Sequence, residues 1–576
     1  MNFAASPVLA LTLPTWRSRL LLGAFVLGFA ILLGRAAYLQ GLNNDFLQAK
    51  GESRYSRVIE IFANRGRILD RNGEALAVST PVKSVWTIPS EVKLDRQELA
   101  RLASLLDLPQ REIEKRIGDA SRDFVFLKRQ ISPEVAERVA RLHVPGVFQD
   151  REYRRYYPAG EVMAHVLGFT GADDVGQEGI ELAFQDVLAG KSGSRRVIKD
   201  RLGQIVEDVE SIKAAKDGHD LFLSLDARVQ NIAFSQLKAA VEQHRAKAGG
   251  IVVLDVDTGE VLALANLPTY NPNNRNNLSG AQLRNRAVTD TFEPGSTLKP
   301  FTIALALESG RIRPDTVIQT APGSLSIGPA TIRDAHVERA LTVAQVIQKS
   351  SNVGAAKIAL GLPAEAMWQM FRRMGFGTEP HLGFPGEAAG KLRPYRSWRP
   401  IEQATMSYGH GISVSLVQLA RAYGAFARDG QLLPLSLVRI DTPPAGERVM
   451  TPETARAVRA MLELAVQPGG TAPRAQIMGY RVAGKTGTAH KEENGAYATD
   501  KYVSSFVGLA PASHPRLVIA VMIDEPSDGQ YYGGAVAAPV FAQVMAGALR
   551  ILDVPPDKPM TPIELPAKGD EVKESV

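Results

Sequence analysis

The 576-residue sequence contains no cysteine, and this absence removes three kinds of chemistry. Without thiols the chain forms no disulfide, has no thiolate nucleophile and cannot hold zinc through cysteine. Histidine is also scarce, with nine residues, and no pair of histidines has the spacing of a helical zinc site. We therefore expect neither a metal nor a cofactor.

Charge of one sign is not concentrated anywhere in the chain. The 67 basic and 61 acidic residues leave a net charge of +6, which is mild for this length. Basic residues do not form tracts with interleaved aromatic residues, so the pattern disfavours a nucleic-acid-binding protein. The chain is too long for one ordinary domain and long enough to bury a large core.

One long apolar run lies near the N-terminus. Residues Leu20–Gly34 carry no charge, and the apolar character continues past the single Arg35. About 20 residues of helix span a bilayer, and an arginine near the end can reach the interface. Arg17 and Arg19 precede the run, which favours a cytoplasmic N-terminus. A cleaved signal peptide is the alternative, but no A-x-A site follows, so we predict an uncleaved anchor over residues 20–40.

The rest of the chain divides into an irregular region and a more regular one. Residues 41–220 mix short alternating stretches with glycine-marked turns and show no obvious nucleophile. From residue 221 the pattern is two strands forming a hairpin, many helices, three further strands and a last helix, which predicts an antiparallel sheet with helices on its faces. The predicted division is a cytoplasmic N-terminus (1–19), the anchor (20–40), an α+β module (41–220), a second domain (221–553) and a flexible tail (554–576).

The pattern Ser-x-x-Lys occurs three times, beginning at Ser90, Ser235 and Ser296. About two occurrences are expected by chance in a chain of this composition, so only the context distinguishes them. Ser90 follows a proline in a loop-like stretch, and Ser235 lies on a plausible amphipathic helix. Ser296 instead follows Phe292-Glu293-Pro294-Gly295 and opens a long apolar run, which predicts a helix N-terminus.

At this helix start, Lys299 lies one turn after Ser296 on the same face. A serine hydroxyl is a weak nucleophile until a neighbouring base takes its proton. Lysine is such a base only when neutral, so its pKa must fall from about 10.4 through burial or a nearby cation. An ordinary N-cap serine would fit Ser296 equally well if this pair stood alone.

Two further motifs accompany the pair. Ser350-Ser351-Asn352 precedes a predicted helix, and Lys485-Thr486-Gly487 lies in an alternating strand. Either motif alone would indicate only a cap or a strand end. Together, in this order and on these elements, the three motifs match the set of the penicillin-binding proteins and class A β-lactamases.

The chain resembles the class B penicillin-binding proteins, and within them the cell-division (septal) D,D-transpeptidases, from the anchor to about Leu552. The middle motif is Ser-Ser-Asn rather than Ser-Asp-Asn, and no Glu-x-x-Leu-Asn element is found, which disfavours a class A β-lactamase. The stretches that carry the resemblance are 65–73, 156–160, 164–170, 177–181, 292–300, 349–354, 484–488 and 531–534.

The fold that the resemblance implies is α+β: a penicillin-binding serine acyltransferase fold, with a five-stranded antiparallel sheet, on a non-catalytic pedestal (residues 41–220). It implies Ser296 as the acylated nucleophile and Lys299 as its general base. Ser350 would relay a proton to the leaving amine, and Asn352 would hold the substrate amide and orient Lys299. Lys485 would help to keep Lys299 neutral.

The same resemblance implies the substrate-binding residues. Thr486 and Thr488 would bind the terminal carboxylate of a D-Ala-D-Ala stem peptide, with Gly487 between them. The N–H groups of Ser296 and Thr488 would form the oxyanion hole. Tyr531 and Tyr532 would line the site or, equally well, pack the structure around it.

The activity implied is D,D-transpeptidation of peptidoglycan stem peptides at the division septum, through an acyl-serine that β-lactams also form. The implied location is the bacterial inner membrane, single-pass, with the catalytic domain in the periplasm. The implied partners are a septal glycosyltransferase (FtsW) and other cell-division proteins. Three alternatives remain: an elongation-type transpeptidase, a D,D-carboxypeptidase, and a β-lactam sensor or catalytically silent scaffold.

Overall fold

The computed structural model of the chain describes residues 15–39, 56–122, 124–199, 205–493, 495–563, 565 and 572–574. Several predictions from the sequence lie outside these residues. They concern most of the cytoplasmic N-terminus, the last residue of the anchor with the first part of the pedestal, and part of the C-terminal tail.

The predicted anchor is a single helix, Thr15–Ala37, which begins five residues before the predicted start. Its 23 residues span about 35 Å at 1.5 Å per residue, enough for the hydrocarbon core of a bilayer. None of its residues is buried, and its mean hydropathy over the most apolar window is 2.1. By length and composition this helix can cross a membrane.

The chain divides into two compact units. The first contains residues up to 63, 82–152 and 191–217, and the second contains 64–81, 153–190 and 218–576. In the first unit, helix Arg96–Leu106 begins with a capping box made by Asp95 and Glu98. The other elements of this unit are helices Gln110–Ile117 and Pro133–Ala140, strand Val125–Ile131, and an antiparallel sheet of Ser56–Ile61, Gly193–Lys199 and Ile205–Lys213.

The N-terminal stretches that carry the family resemblance converge in the second unit. The Glu181 carboxylate accepts hydrogen bonds from Nε of Arg65 at 2.7 Å and from Nε of Arg155 at 2.6 Å. All three side chains are at least 99% buried. Gly66 and Gly176 fit only without side chains, because a Cβ on either would lie 2.0 Å or less from a backbone oxygen. These stretches therefore form one charged, tightly packed cluster.

The second unit is built around a five-stranded antiparallel sheet, which confirms the predicted fold class. In spatial order its strands are Val261–Leu267, Ala248–Asp255, Leu517–Asp524, Ala496–Ala510 and Ala483–Glu493. The first two strands are the predicted hairpin. We call the five strands the central sheet. In the described part of the chain, Ala483–Glu493 is an edge strand.

Successive side chains of a strand in the central sheet pack into two different apolar clusters, one on each face of the sheet. Ile251 and Val253 belong to one apolar cluster, whereas Val252 and Leu254 belong to the other. Because successive side chains of a strand point to opposite faces, this uninterrupted apolar run serves both clusters. Helices Ala227–Gln243 and Ala538–Ile551 cover the first face, and helix Leu416–Ala427 packs on the second.

The second unit contains further helices and strands. Its remaining helices are Ala164–Leu167, Gly179–Ala183, Gln185–Leu188, Gly280–Leu283, Arg286–Thr289, Lys299–Glu308, Val343–Gln348, Asn352–Leu360, Ala364–Arg373, Pro400–Met406, Pro452–Val466 and Gly533–Val536. Its remaining strands are Ile68–Leu69, Phe169–Thr170, Gly176–Glu178, Leu221–Phe222, Val317–Gln319, Ser324–Ile327, Ala330–Arg333, Ala340–Thr342, Gln431–Leu432 and Glu447–Arg448. Strands Ala75–Thr87 and Val147–Tyr156 each contain a boundary between the two units.

The buried cluster predicts a large loss of stability on substitution of Glu181. Glu181→Ala leaves two buried guanidinium groups without their carboxylate, which costs about 3–5 kcal/mol. The midpoint of thermal unfolding of the detergent-solubilised chain should fall by roughly 5–15 °C. The control is Glu137→Ala, because Glu137 is 68% exposed and lies 3.8 Å from Arg141, in a surface pair of little energetic weight. Equal midpoints for the two variants would contradict the prediction.

Candidate active site

Ser296 lies in a 3₁₀ turn, Gly295–Leu298, that runs directly into helix Lys299–Glu308. The turn is the predicted helix start, with Pro300 tolerated because its missing N–H would have had no partner in the first turn. Apolar residues bury the helix on nearly all sides, so its N-terminus is fixed. The buried Tyr423 hydroxyl donates to the carbonyl of Thr297 at 2.8 Å and so holds the turn in place.

The amine of Lys299 lies between two serine hydroxyls. Its Nζ is 2.9 Å from Oγ of Ser296 and 3.1 Å from Oγ of Ser350. It also donates to the backbone carbonyl of Ser350 at 2.6 Å. A neutral amine has two N–H donors and one lone pair. These three contacts match that valence when Ser296 donates its hydroxyl proton towards the lone pair.

Burial lowers the pKa of Lys299 well below its ordinary value of 10.5, because a charged ammonium loses its hydration inside the protein. The neighbouring Lys485 lowers this pKa further by charge repulsion, while the carboxylates of Asp334 and Glu574 oppose the shift. The Lys299 side chain is fully buried. The neutral form that general-base chemistry needs is therefore favoured.

Ser350 has an unusual backbone conformation for a residue other than glycine, with φ at +58°. This left-handed conformation turns the chain sharply between helices Val343–Gln348 and Asn352–Leu360. It lets the hydroxyl and the carbonyl of the same residue reach one amine. Strain of this kind persists only where the surroundings hold it, and it is concentrated at functional sites.

The helix that follows Ser350 is capped by Asp334, a residue that the sequence analysis did not single out. Oδ1 of Asp334 accepts from the N–H groups of Asn352 at 2.6 Å and Val353 at 3.0 Å. Its Oδ2 accepts from the Ser351 hydroxyl at 2.6 Å. The carboxylate therefore fixes the middle motif at a helix N-terminus, where negative charge is favourable.

Asn352 lies near this group but does not make the expected contact with Lys299. The contacts of Lys299 Nζ are to Ser296 and Ser350, and Oδ1 of Asn352 is buried without a hydrogen-bond partner among the residues that the structure describes. The physical reason is that the amine already has the three partners that its valence allows. An unpaired buried amide oxygen is costly, so Asn352 is poised to accept a hydrogen bond from a ligand.

The third motif lies on the edge strand Ala483–Glu493, beside the serine turn. Nζ of Lys485 is 3.1 Å from Oγ1 of Thr486, and both residues are fully buried. A Cβ on Gly487 would lie 2.7 Å from the carbonyl oxygen of Pro294, so only glycine permits this approach of strand and turn. The contribution of Gly487 to the site is thus that it lets the backbone of the edge strand lie close to the backbone of the serine turn.

The side chain of Glu574 occupies the pocket formed by this motif. Oε2 of Glu574 accepts from Oγ1 of Thr488 at 2.6 Å, and Oε1 lies 3.3 Å from Nζ of Lys485 and in contact with Oγ1 of Thr486. Burial lowers the pKa of Lys485, and the carboxylate partly offsets this shift. Nothing in the local sequence near Glu574 indicates this contact; Glu574 falls in the predicted tail.

Tyr531 and Tyr532 form an aromatic group at the same site. The Tyr531 ring stacks on that of Tyr502 with centroids 4.0 Å apart and lies 4.5 Å from the Tyr532 ring. The N–H of Gly533 donates to Oγ1 of Thr488 at 3.0 Å, which ties the group to the edge strand. The structure thus brings all three motifs and the tyrosines into one place.

Comparisons with known proteins agree with this geometry. A family model described as the penicillin-binding protein transpeptidase domain matches residues 249–546, and one described as the penicillin-binding protein dimerisation domain matches residues 60–223. The apo structure of the transpeptidase (TP) domain from Burkholderia pseudomallei penicillin-binding protein 3 is 51% identical, with a TM-score of 0.55. It covers 58% of this chain and 98% of its own.

Two curated relatives align along almost the whole chain. A probable peptidoglycan D,D-transpeptidase PenA of Neisseria gonorrhoeae is 45% identical over 549 residues, covering 95% of this chain and 94% of the relative. The peptidoglycan D,D-transpeptidase FtsI of Escherichia coli K12 is 42% identical over 551 residues, covering 94% and 93% respectively. With both domain models matched in order, the chain belongs to the class B penicillin-binding proteins, as its sequence predicts.

Proposed function

We propose that this protein cross-links peptidoglycan stem peptides at the division septum by D,D-transpeptidation through an acyl-serine on Ser296. The observation that carries the proposal is the buried Lys299 amine, 2.9 Å from Oγ of Ser296 and 3.1 Å from Oγ of Ser350. The names of the relatives, peptidoglycan D,D-transpeptidases, support the same reaction.

In the first half-reaction, Lys299 takes the proton of Ser296 while Oγ attacks the carbonyl of the penultimate D-Ala. The C–O bond of an ester forms, the C–N bond of the peptide breaks, and D-Ala leaves as an amine. That amine needs a proton. The Ser350 hydroxyl lies on the other side of Lys299 and can pass the proton on, so the base is neutral again afterwards.

In the second half-reaction, the amine of a neighbouring stem peptide attacks the ester carbonyl. The amine loses a proton as the new C–N bond forms, and this proton passes by way of Ser350 and Lys299 to Oγ of Ser296 as the ester C–O bond breaks. The chain is thus returned to its starting state with a new peptide bond formed. A β-lactam would acylate the same serine, because it presents a strained amide to the same hydroxyl.

Binding of the donor is proposed to use the edge strand. Thr486, Thr488 and Lys485 offer two hydroxyls and an ammonium to the terminal carboxylate, a charge-assisted arrangement. The free side of an edge strand can pair with an extended peptide. Asn352 would accept from the donor amide with its unpaired Oδ1.

The oxyanion hole is proposed to consist of the N–H groups of Ser296 and Thr488. The N–H of Ser296 is in the first turn, where backbone donors have no partner within the helix. A Cβ placed on Gly295 would lie 3.4 Å from the carbonyl of Thr488, so the two segments are close neighbours. Tyr531 and Tyr532 would form one wall of the site.

The membrane arrangement is part of the same proposal. Helix Thr15–Ala37 would anchor the chain in the inner membrane in a single pass, with the catalytic domain (221–553) in the periplasm on the pedestal (41–220). The match of the dimerisation-domain model to residues 60–223 supports this division. Because residues 41–220 resemble a non-catalytic pedestal, a separate septal glycosyltransferase (FtsW) and other cell-division proteins are the proposed partners.

The first prediction concerns Ser296. Ser296→Ala should abolish the covalent penicillin adduct and stem-peptide turnover, because it removes the hydroxyl that lies at the helix start, 2.9 Å from the buried Lys299 amine. Intact-mass measurement and peptide mapping of the adduct test this. Ser235→Ala is the matched control, since Ser235 also belongs to a Ser-x-x-Lys pattern but is exposed on helix Ala227–Gln243. An adduct that persists on the Ser296→Ala chain would exclude this serine as the nucleophile.

The second prediction concerns the base. Lys299→Arg should slow acylation by about 10²–10⁴-fold, because a guanidinium stays protonated and cannot take the serine proton. The measurement is the second-order rate constant for a fluorescent penicillin. Lys238→Arg is the control, because Lys238 is partly exposed and paired with Glu161. Near-normal acylation by the Lys299→Arg chain would remove Lys299 from its role.

The third prediction concerns pH. Acylation should fall towards acid pH as Lys299 becomes protonated, and its lowered pKa places this fall below the ordinary lysine range. Lys485→Met removes a positive neighbour, so the pKa of Lys299 should rise and the acid limb of the rate profile should move to higher pH. The profile of acylation rate against pH tests the sign. A limb that stays in place or moves to lower pH would show that Lys485 does not act on Lys299 through its charge.

A further inference from the structure

The side chain of Glu574 is a buried carboxylate in the pocket of the third motif, beside the serine turn. It is 2% exposed, although it lies in a stretch that the sequence predicts to be a flexible tail. Each of its two oxygens has a separate partner: Oε2 the hydroxyl of Thr488, and Oε1 the hydroxyl of Thr486 together with the amine of Lys485.

These partners are the groups that the proposed function assigns to the terminal carboxylate of the donor. A glutamate side chain and a peptide C-terminus present the same charged group, with two oxygens and the same demand for donors. The hydrogen-bond donors of the pocket can therefore bind either carboxylate. Glu574 and the donor carboxylate therefore cannot occupy it together.

More than one contact holds the segment around Glu574. The backbone N–H of Lys573 donates to Nε2 of His336 at 2.9 Å. Val572, Lys573 and Glu574 also line a small cavity of 150 Å³ with Thr471, Pro473 and Tyr532. The backbone of Lys573 and the side chain of Glu574 thus each have a contact that holds the segment.

We propose that Val572–Glu574 is an intramolecular competitor of the donor, with Glu574 filling the carboxylate subsite until a stem peptide or a β-lactam displaces it. This inference rests on the proposed function, because it assumes that the subsite serves the donor. It names an acidic peptide segment of the same chain as a ligand of the active site. The consequence is a resting enzyme with a blocked donor site.

The charge of Glu574 acts in the same direction as its position. Its carboxylate raises the pKa of Lys299, against the lowering by burial and by Lys485. Departure of Glu574 therefore opens the subsite and, at the same time, favours the neutral base. The arriving donor would restore a carboxylate at the same point.

The expected size of the effect follows from tethering. A tethered ligand acts at an effective concentration in the millimolar range, and a site that is free for only a fraction of the time has its apparent affinity reduced by that fraction. The donor KM should therefore fall by about two- to tenfold when the competitor is removed. The kcat should stay unchanged, because saturating donor displaces the segment in either case.

The experiment compares the full-length wild-type chain with Glu574→Gln and Glu574→Ala. The measurements are the second-order rate constant of acylation by a fluorescent penicillin, and KM and kcat for a D-Ala-D-Ala thioester analogue. Glu379→Gln is the control, since Glu379 is exposed and is not among the residues of the site. We expect faster acylation and a lower KM in both Glu574 variants, with unchanged kcat and unchanged thermal midpoint.

A synthetic peptide tests the same contact in trans. The peptide of residues 566–576, at millimolar concentration, should slow acylation of the Glu574→Ala chain, and the same peptide carrying Glu574→Gln should act more weakly. Normal labelling of Ser296 at identical rates in wild type and both variants would overturn this inference alone. Absence of any Ser296 adduct in all of these chains would overturn the proposed function, and the inference with it.

Discussion

A lysine amine held inside the protein, between two hydroxyls, is the constraint on which the active site depends. Burial removes the hydration that an ammonium needs, and Lys485 adds repulsion, so Lys299 is favoured in its neutral form. A neutral amine is stable there only if its two N–H groups and its lone pair have partners. Ser296 and Ser350 provide these partners from different parts of the chain.

Much of the surrounding structure serves to keep these atoms within hydrogen-bonding distance. The left-handed conformation of Ser350 turns two of its groups towards one amine, and Asp334 fixes the helix that follows. On the other side, Gly487 lets the edge strand approach the serine turn more closely than any side chain would allow. Local strain and close backbone contact are tolerated because the central sheet and the buried helix are rigid supports.

The charged cluster of Arg65, Arg155 and Glu181 has a different kind of role. Arg65 and Glu181 lie in two of the stretches by which the N-terminal half resembles its family, yet the cluster contributes no group to the acyl-transfer site. Two buried guanidinium groups on one carboxylate are stable only with accurate geometry, and the neighbouring glycines provide it. A distinctive motif in this protein can therefore belong to a buried cluster that stabilises the fold as readily as to the active site.

The sequence by itself determined the fold class, the family and the residues of the three motifs, because these depend on local patterns. Short apolar runs bounded by turn residues indicated strands of the central sheet, and the proline and apolar run after Ser296 indicated a helix start. Only the tertiary structure decided which side chains touch. It left Oδ1 of Asn352 without a hydrogen-bond partner in the described part of the chain. It also brought Asp334 to the middle motif and placed Glu574 against Thr488, 86 residues away along the chain. Contacts of this kind depend on where the chain returns in space, and neither residue carries a local signal of its distant partner.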